Sequence, residues 1–400
     1  MNRIWKTGLC IFLCGWSLVA QSDLPVRVDV VYLASDDLEG RATGTPGEAK
    51  AAEYIAYRMQ NLGLKPKGTA GWYQSFSFSS NPHDRSNKDL KGRNVIGFLD
   101  RKAKSTIVIG AHYDHLGHGQ AGSLSPNDKS VHNGADDNAS GVAAMLWLAE
   151  KLSAQKKLKS NILFIAFSGE EYGLHGSKAF ADNPTVPLAQ IKGMINMDMV
   201  GRLNEEKVLA ISGTGTALEW TQTLDRIKPE GFKFNYTASG VGPSDHTSFY
   251  LKDIPVLHFF TGQHTDYHKP SDDSPLVNYD GIVQVARVIE NVVNSVDRMP
   301  LTFQKTKDES NQRASSFKVT MGVMPDYVFS GEGMRVDAVL ENRPAAAAGM
   351  QKGDVILQIG EHSIKDVHEY MKALGMFEKG QETEVTVLRG QDKVKLKVKF

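Results

Sequence analysis

The sequence predicts an α/β protein: a mainly parallel mixed sheet sandwiched by helices, followed by a small domain of β and α+β character. Three observations predict it. The segments 105–111 (STIVIGA), 160–168 (SNILFIAFS), 192–197 (KGMINM) and 254–260 (IPVLHFF) are short, nearly continuous apolar runs. Helical patterns alternate with them, and strands that are apolar on both faces belong in a parallel sheet covered on both sides. After Met299-Pro300 the pattern changes to short β-type segments with frequent glycines.

The helical elements follow from spacing. Over 46–63, Ala49, Ala52, Ile55, Met59 and Leu62 recur at helical intervals, and Gly63 stands where a C-cap glycine belongs. A second helix is predicted over 140–153 and a third from about Tyr279 to Val296. Residues 301–316 (LTFQKTKDESNQRASS) are polar and without period, which reads as a linker, and 317–400 form a second domain of a size that folds alone.

The N-terminus reads separately. Arg3 and Lys6 precede an apolar run from Leu9 to Ala20, and Ala20-Gln21-Ser22 offers a cleavage site, the pattern of a secretory signal peptide over 1–22. An uncleaved anchor is the alternative. Cys10 and Cys14, the only cysteines, lie inside this segment, so the mature chain from Asp23 has no thiolate metal site, disulfide or cysteine nucleophile. A periplasmic or secreted bacterial protein, with no stable membrane span after cleavage, is the expectation. Lys plus Arg and Asp plus Glu are both 46, which gives no footprint of a nucleic-acid binder.

The chemistry lies at the ends of the apolar runs. They end in or lead to His112-Tyr113-Asp114, Glu170-Glu171, Asp198, and Asp266-Tyr267-His268, and Asp136-Asp137-Asn138 precedes the 140–153 helix. Ligands of open parallel sheets bind at the carboxyl ends of strands, so these side chains converge on one crevice. Imidazoles with carboxylates suit zinc, with manganese or cobalt as alternatives. Asp136, Glu171, Asp198 and one hydroxide balance two divalent ions, a known hydrolytic pair.

The segments GAHYDHLG, NGADDNASG, FSGEEYGLHGS, INMDMVGR and DYHKPSDD resemble, in order, the motifs of the co-catalytic di-zinc aminopeptidases. That family includes secreted bacterial leucine aminopeptidases, and its relatives include glutamate carboxypeptidases and glutaminyl cyclases. The resemblance covers about Leu33 to Val296. It implies a zinc-exopeptidase fold and two Zn2+, one held by His112 and Asp198, the other by Glu171 and His268, with Asp136 bridging. It also implies a cis peptide between Asp136 and Asp137. A zinc-bridging hydroxide would attack the peptide carbonyl, with Glu170 as general base, on peptides with a free N-terminus.

Around these, Asp114 is placed to accept the second ring N–H of His112. Tyr267 adjoins a ligand; in some relatives a tyrosine there donates to the substrate carbonyl oxygen, and a purely packed tyrosine is the equal alternative. Asp272 either supports His268 or caps the next segment, and Ser244-Asp245-His246 either borders the site or forms a buried turn. His115, His118 and His132 read as loop rim, and Arg202 as a surface or structural residue. No G-x-S-x-G, P-loop or G-x-G-x-x-G after a strand is present. A carboxypeptidase, a glutaminyl cyclase, or an inactive scaffold presenting its C-terminal domain are the competing readings.

Residues 319–400 resemble a PDZ domain of bacterial envelope proteases, through Met321-Gly322-Val323 and PAAAAGMQKGDVILQIGEHSI. The resemblance implies that the Met321-Gly322-Val323 loop receives a peptide or protein C-terminal carboxylate beside a helix at about 367–374. A PDZ-like fold that only packs against the catalytic domain is the alternative.

Overall fold

The computed structural model describes residues 23–79, 89–119, 122–125, 127–306, 319–326, 329, 331–339 and 343–400. The predicted signal peptide lies outside them. In the first domain nine strands form one sheet: β1 (Lys65–Pro66), β2 (Tyr73–Ser79), β3 (Asp89–Leu99), β4 (Thr106–His112), β5 (Asn161–Phe167), β6 (Ile191–Met197), β7 (Val208–Ser212), β8 (Lys233–Thr237) and β9 (Val256–Phe260). Their order is β1-β3-β5-β4-β6-β9-β7-β8, with β2 also on β3. The centre, β5-β4-β6-β9, is parallel. β3 joins β5 antiparallel at one flank and β7 joins β9 antiparallel at the other. The four apolar runs are these four central strands. Strands β1–β3, β7 and β8 at the flanks carry weaker patterns, because one or both of their faces meet solvent.

Alternation within the runs shows why they are apolar throughout. Ile107, Ile109 and Ala111 of β4 face one core, while Val108 faces the other. Ile162, Phe164 and Ala166 of β5 take the first side, and Leu163, Ile165 and Phe167 the second. The first core is covered by α1 (Leu24–Leu33), α2 (Pro46–Asn61), α3 (Gly141–Ala154), α5 (Trp220–Ile227) and α7 (Tyr279–Val296). Phe180 of α4 (His175–Asp182), with Phe249 and Tyr250 of α6 (His246–Tyr250), covers the second.

Local signals set the helix ends. Thr45 caps α2 by accepting from the Glu48 N–H at 3.3 Å, with Pro46 in the first turn. Gly47 in that turn packs so tightly on Leu38 that a Cβ would come within 1.9 Å of the Leu38 carbonyl oxygen. Asn278 caps α7 through the Gly281 N–H at 2.8 Å.

The first six residues of the predicted linker are packed on the first domain. Phe303 bridges to Ala217 and packs on the second core. Thr306 is buried, with its hydroxyl 2.8 Å from Tyr250 Oη. Residues 301–306 are thus docked on the first domain, and 307–316 lie outside the described residues. The C-terminal unit is an antiparallel sheet, β10 (Val323–Pro325), β11 (Met334–Val339), β12 (Val355–Ile359), β13 (His362–Ser363), β14 (Glu382–Arg389) and β15 (Asp392–Lys399), ordered β10-β11-β12-β14-β15 with β13 on β12. Helices α8 (Pro344–Ala347) and α9 (Val367–Leu374) complete it. Its core is its own, built on Met321, Met334, Ile356, Ile359, Tyr370, Val385 and Val387.

Candidate metal centre

The carboxyl ends of the central strands bring the predicted side chains together. His112 closes β4, Asp198 follows β6, Glu170 and Glu171 follow β5, and His268 comes from the loop after β9. The carboxylate between the two imidazoles is that of Asp137, not Asp136. Asp137 Oδ1 lies 3.2 Å from His112 Nε2, and Oδ2 lies 3.1 Å from His268 Nε2. Asp198 Oδ1 is 3.3 Å from His112 Nε2, and Glu171 Oε2 is 3.2 Å from His268 Nε2.

Asp136 turns the other way. Its Oδ1 accepts from the Gly201 N–H at 2.6 Å and the Ser140 hydroxyl at 2.9 Å, and its Oδ2 faces His264 Nε2 at 3.1 Å. Adjacent residues in a tight turn point apart, so only one of the pair can enter the crevice. The cis peptide is likewise one position later than expected, between Asp137 and Asn138.

The turn is clamped from both sides. Asp272 accepts from the backbone N–H of Asp136 at 3.0 Å and of Asp137 at 3.0 Å, so it holds this turn rather than His268. Asn138 donates to the Met197 carbonyl at 3.0 Å and accepts from the Met199 N–H at 3.2 Å, which ties the turn to the end of β6. Arg202 reaches Asp266 at 3.2 Å and Asp272 at 3.5 Å.

Asp114 acts differently from the expectation. His112 Nδ1 meets the Asp114 backbone oxygen at 3.2 Å, while the carboxylate is 3.8 Å away. That carboxylate accepts from Thr43 Oγ1 at 2.9 Å and from the Glu170 N–H at 3.2 Å, so it links the end of β4 to the loop after β5. Tyr267 stacks on His268, with centroids 3.8 Å apart and planes 19° apart. His115 is fully buried, not on the rim, with Nδ1 2.8 Å from Glu171 Oε1. His132 is also buried and meets Ser123 Oγ at 2.8 Å; His118 meets the Lys129 carbonyl at 3.2 Å. Ser244-Asp245-His246 are buried beside the crevice, and the His246 ring stacks on His258 at 4.5 Å.

One residue at the centre of this framework lies in the segment SDDLEGRATGTPGEAKAAEYI, which also belongs to the family resemblance, but its role was not predicted. Arg41 is fully buried, and its guanidinium donates to the carbonyls of Leu33, Tyr113 (2.8 Å), Asn133 (2.6 Å) and Gly134 (3.0 Å). Three of these flank the crevice loops, one before Asp114 and two before the Asp136-Asp137 turn.

The electrostatics are those of a cation site. Burial alone would lower His112, but Glu170, Asp198 and Asp137 push it well above its usual range. Burial opposes ionisation of Asp137, yet its bonds to His112 and His268 hold it well below the carboxylate range. Glu171 is held at about 2: burial opposes this, and His268 and His115 outweigh it. Glu170 is raised well above its usual value, first by burial and then by the neighbouring carboxylates. So many buried carboxylates need positive charge, which the imidazoles supply as protons and metal would supply directly.

The donor set fits zinc. Two N or O donors bound to one zinc at about 2.0–2.2 Å cannot lie more than roughly 4.4 Å apart. His112, Asp137 and Asp198 make one group of ligand atoms, and His115, Asp137 and Glu171 another. The contacts that join these groups, and those of His268, run from 2.8 to 3.9 Å. Asp137 is common to both.

In the C-terminal unit Met321 is buried, with its carbonyl accepting from the Ala345 N–H at 2.9 Å. Gly322 has φ +75°, and a Cβ there would meet the Arg343 side chain at 2.2 Å. Val323 begins β10, which among the described residues pairs with β11 and has no partner on its other edge.

Comparison with known proteins places this arrangement. Residues 94–293 match peptidase family M28, and residues 300–400 match a PDZ domain. The alkaline phosphatase isozyme conversion protein of Escherichia coli is 32% identical over 35% of this chain and 40% of that protein. Aminopeptidase YwaD of Bacillus subtilis is 28% identical over 53% of this chain and 47% of its own length. The chain thus spans less than half the length of either of these curated relatives. Among solved structures, a zinc aminopeptidase from Bacillus subtilis superposes with a TM-score of 0.56 at 19% identity, covering 68% of this chain and 95% of that one. A glutaminyl cyclase from Bacteroides thetaiotaomicron superposes with a TM-score of 0.55 at 20% identity, covering 68% and 97%. At these identities the structures speak to the fold alone.

Proposed function

Because the chain belongs to peptidase family M28 and ends in a PDZ domain, we propose that it is an exported two-zinc aminopeptidase. It removes N-terminal residues from peptides, with Glu170 as general base. One observation carries the reading: the two oxygens of Asp137 each face one imidazole, at 3.2 Å from His112 and 3.1 Å from His268. His112 and Asp198 would hold one ion, Glu171 and His268 the other, and Asp137 both. Zinc bound there would polarise a peptide carbonyl and make water nucleophilic at neutral pH.

The chain's own groups do the rest. Glu170, with Oε2 4.0 Å from His112 Nε2, takes the proton of the attacking water and passes it to the leaving amine. Its raised affinity for that proton suits the second step. Asp114, through the Glu170 N–H, keeps the base in register with β4. Tyr267, braced on His268, is assigned to donate its hydroxyl to the substrate oxygen as charge develops there.

Export by residues 1–22 rests on the sequence pattern; among the described residues no helix is long and apolar enough to cross a membrane. At the PDZ domain, the edge of β10 that is unpaired among the described residues, with the Met321-Gly322-Val323 loop, would take a peptide C-terminus as an added strand.

The test is a panel of aminoacyl amides, the same peptides N-acetylated, and peptides with N-terminal Gln, with zinc measured alongside. Hydrolysis of free N-termini alone is expected. Cleavage of blocked peptides with free ones untouched would overturn the aminopeptidase reading, and cyclisation of the Gln peptides without hydrolysis would replace it with a cyclase.

A further inference from the structure

We propose that His115 is a third imidazole ligand of this centre, binding the ion shared by Asp137, Glu171 and His268. The inference rests on the two-zinc reading, and it adds a ligand that the motif resemblance does not include.

The geometry carries it. His115 is fully buried, and its Nδ1 points at the same two carboxylates that face His268: 2.8 Å from Glu171 Oε1 and 3.9 Å from Asp137 Oδ2. His268 Nε2 takes the other Glu171 oxygen and the same Asp137 oxygen, at 3.2 Å and 3.1 Å. The two rings meet edge to face, with centroids 5.8 Å apart, so their donor atoms approach one point from different directions. The four imidazole–carboxylate separations are each within what one zinc allows, roughly 4.4 Å.

The ring is held there by more than these contacts. The His115 N–H donates to the Arg41 carbonyl at 3.3 Å. Gly134, at φ +55°, leaves the space the imidazole fills: a Cβ there would lie 2.5 Å from His115 Cγ. Nε2 is buried and makes no hydrogen bond among the described residues, so there Nδ1 gives the side chain its polar task.

The two positions then differ in kind. One is held by His112, Asp137 and Asp198; the other by His115, His268, Asp137 and Glu171. Imidazole favours zinc over harder divalent ions, so the second position fills first and binds more tightly.

The experiment compares wild type, His115→Ala, His115→Asn and, as a loop control, His118→Ala. Folding of each is checked by circular dichroism. Zinc per chain is measured by elemental analysis across a series of chelator-buffered free zinc concentrations, and Co2+-loaded protein is examined by its visible spectrum. Wild type should bind in two phases. His115→Ala and His115→Asn should weaken the tighter phase by at least about 10–100-fold, leave the weaker one, and change the Co2+ spectrum. Full recovery of affinity and spectrum in His115→Asn would mean that His115 only hydrogen-bonds Glu171, and would overturn the inference. Equal binding by folded His115→Ala and wild type would overturn it too, with the two-zinc reading intact. If wild type holds a single ion, the two-zinc reading fails instead; loss of that ion in His115→Ala would still support His115 as its ligand, and its retention would not.

Discussion

Asp136 and Asp137 are neighbours with opposite assignments, so substituting each by asparagine tests the geometry directly. Asp137→Asn removes the carboxylate that faces both imidazoles, at 3.2 Å and 3.1 Å, and both ions would lose a ligand at once. An ordinary supporting residue costs 10–100-fold in metal affinity; a shared ligand should cost about 100-fold or more at each position. Asp136→Asn touches neither imidazole of the pair. It weakens charge-assisted bonds from the Gly201 N–H at 2.6 Å and the Ser140 hydroxyl at 2.9 Å, and it removes the nearest carboxylate of His264, which keeps Asp266 at 3.7 Å and Asp272 at 4.0 Å. The amide oxygen can still accept, so a net loss of about 1–3 kcal/mol of stability is expected, a fall of roughly 2–10 °C in Tm. Elemental analysis after dialysis against a weak chelator reads the first effect, and thermal unfolding in a strong chelator reads the second. A metal-free Asp136→Asn beside a fully loaded Asp137→Asn would refute the assignment.

Other consequences are open to measurement. Glu170→Gln should keep its zinc and lose about 10²–10⁴-fold in turnover of aminoacyl amides; unchanged turnover would remove its role as base. Arg41→Met takes the guanidinium from four carbonyls, of which Gly134 keeps the Ala139 N–H, and should cost roughly 3–5 kcal/mol by urea denaturation. Burial pushes His246 well below the usual imidazole range and His258 to about 4. Both depressed values make the unfolded chain bind more protons, so stability is complete above about pH 6.5 and is lost as pH falls toward 4. His246→Phe, which keeps the ring stacked on His258, should flatten that slope in denaturant midpoints measured from pH 7 to 5; an unchanged slope would contradict the assignment. Deleting 317–400 should spare small amide substrates and alter cleavage of long peptides, and loss of both in a folded truncation would place the PDZ domain inside the catalytic machinery.

What could be read from the sequence was what repeats or sits at a boundary. The four central strands announced themselves because both of their faces are covered, and the ligands were visible because they stand where those strands stop. Asp137 was not separable from Asp136, since spacing says nothing about which of two adjacent side chains a turn sends inward. Asp272 looked like a partner of His268 by proximity in sequence, yet it binds backbone N–H groups 135 and 136 residues away. His115 read as rim because its loop is polar; its burial depends on Arg41 and Gly134, which come from other parts of the chain. The role of Arg41 was silent because its partners are main-chain carbonyls, which every residue possesses.

That guanidinium has a consequence in time as well as in space. Arg41 is synthesised before the two crevice loops it joins, at Tyr113 and at Asn133-Gly134. Until residue 134 has followed it, the charge has no complete set of acceptors and stays in water. The earliest-made of these segments is thus the one that clasps the two made after it. A growing chain that stops short of residue 134 holds His112 and Asp114, while Asp137, Glu171, Asp198 and His268 are still to be made.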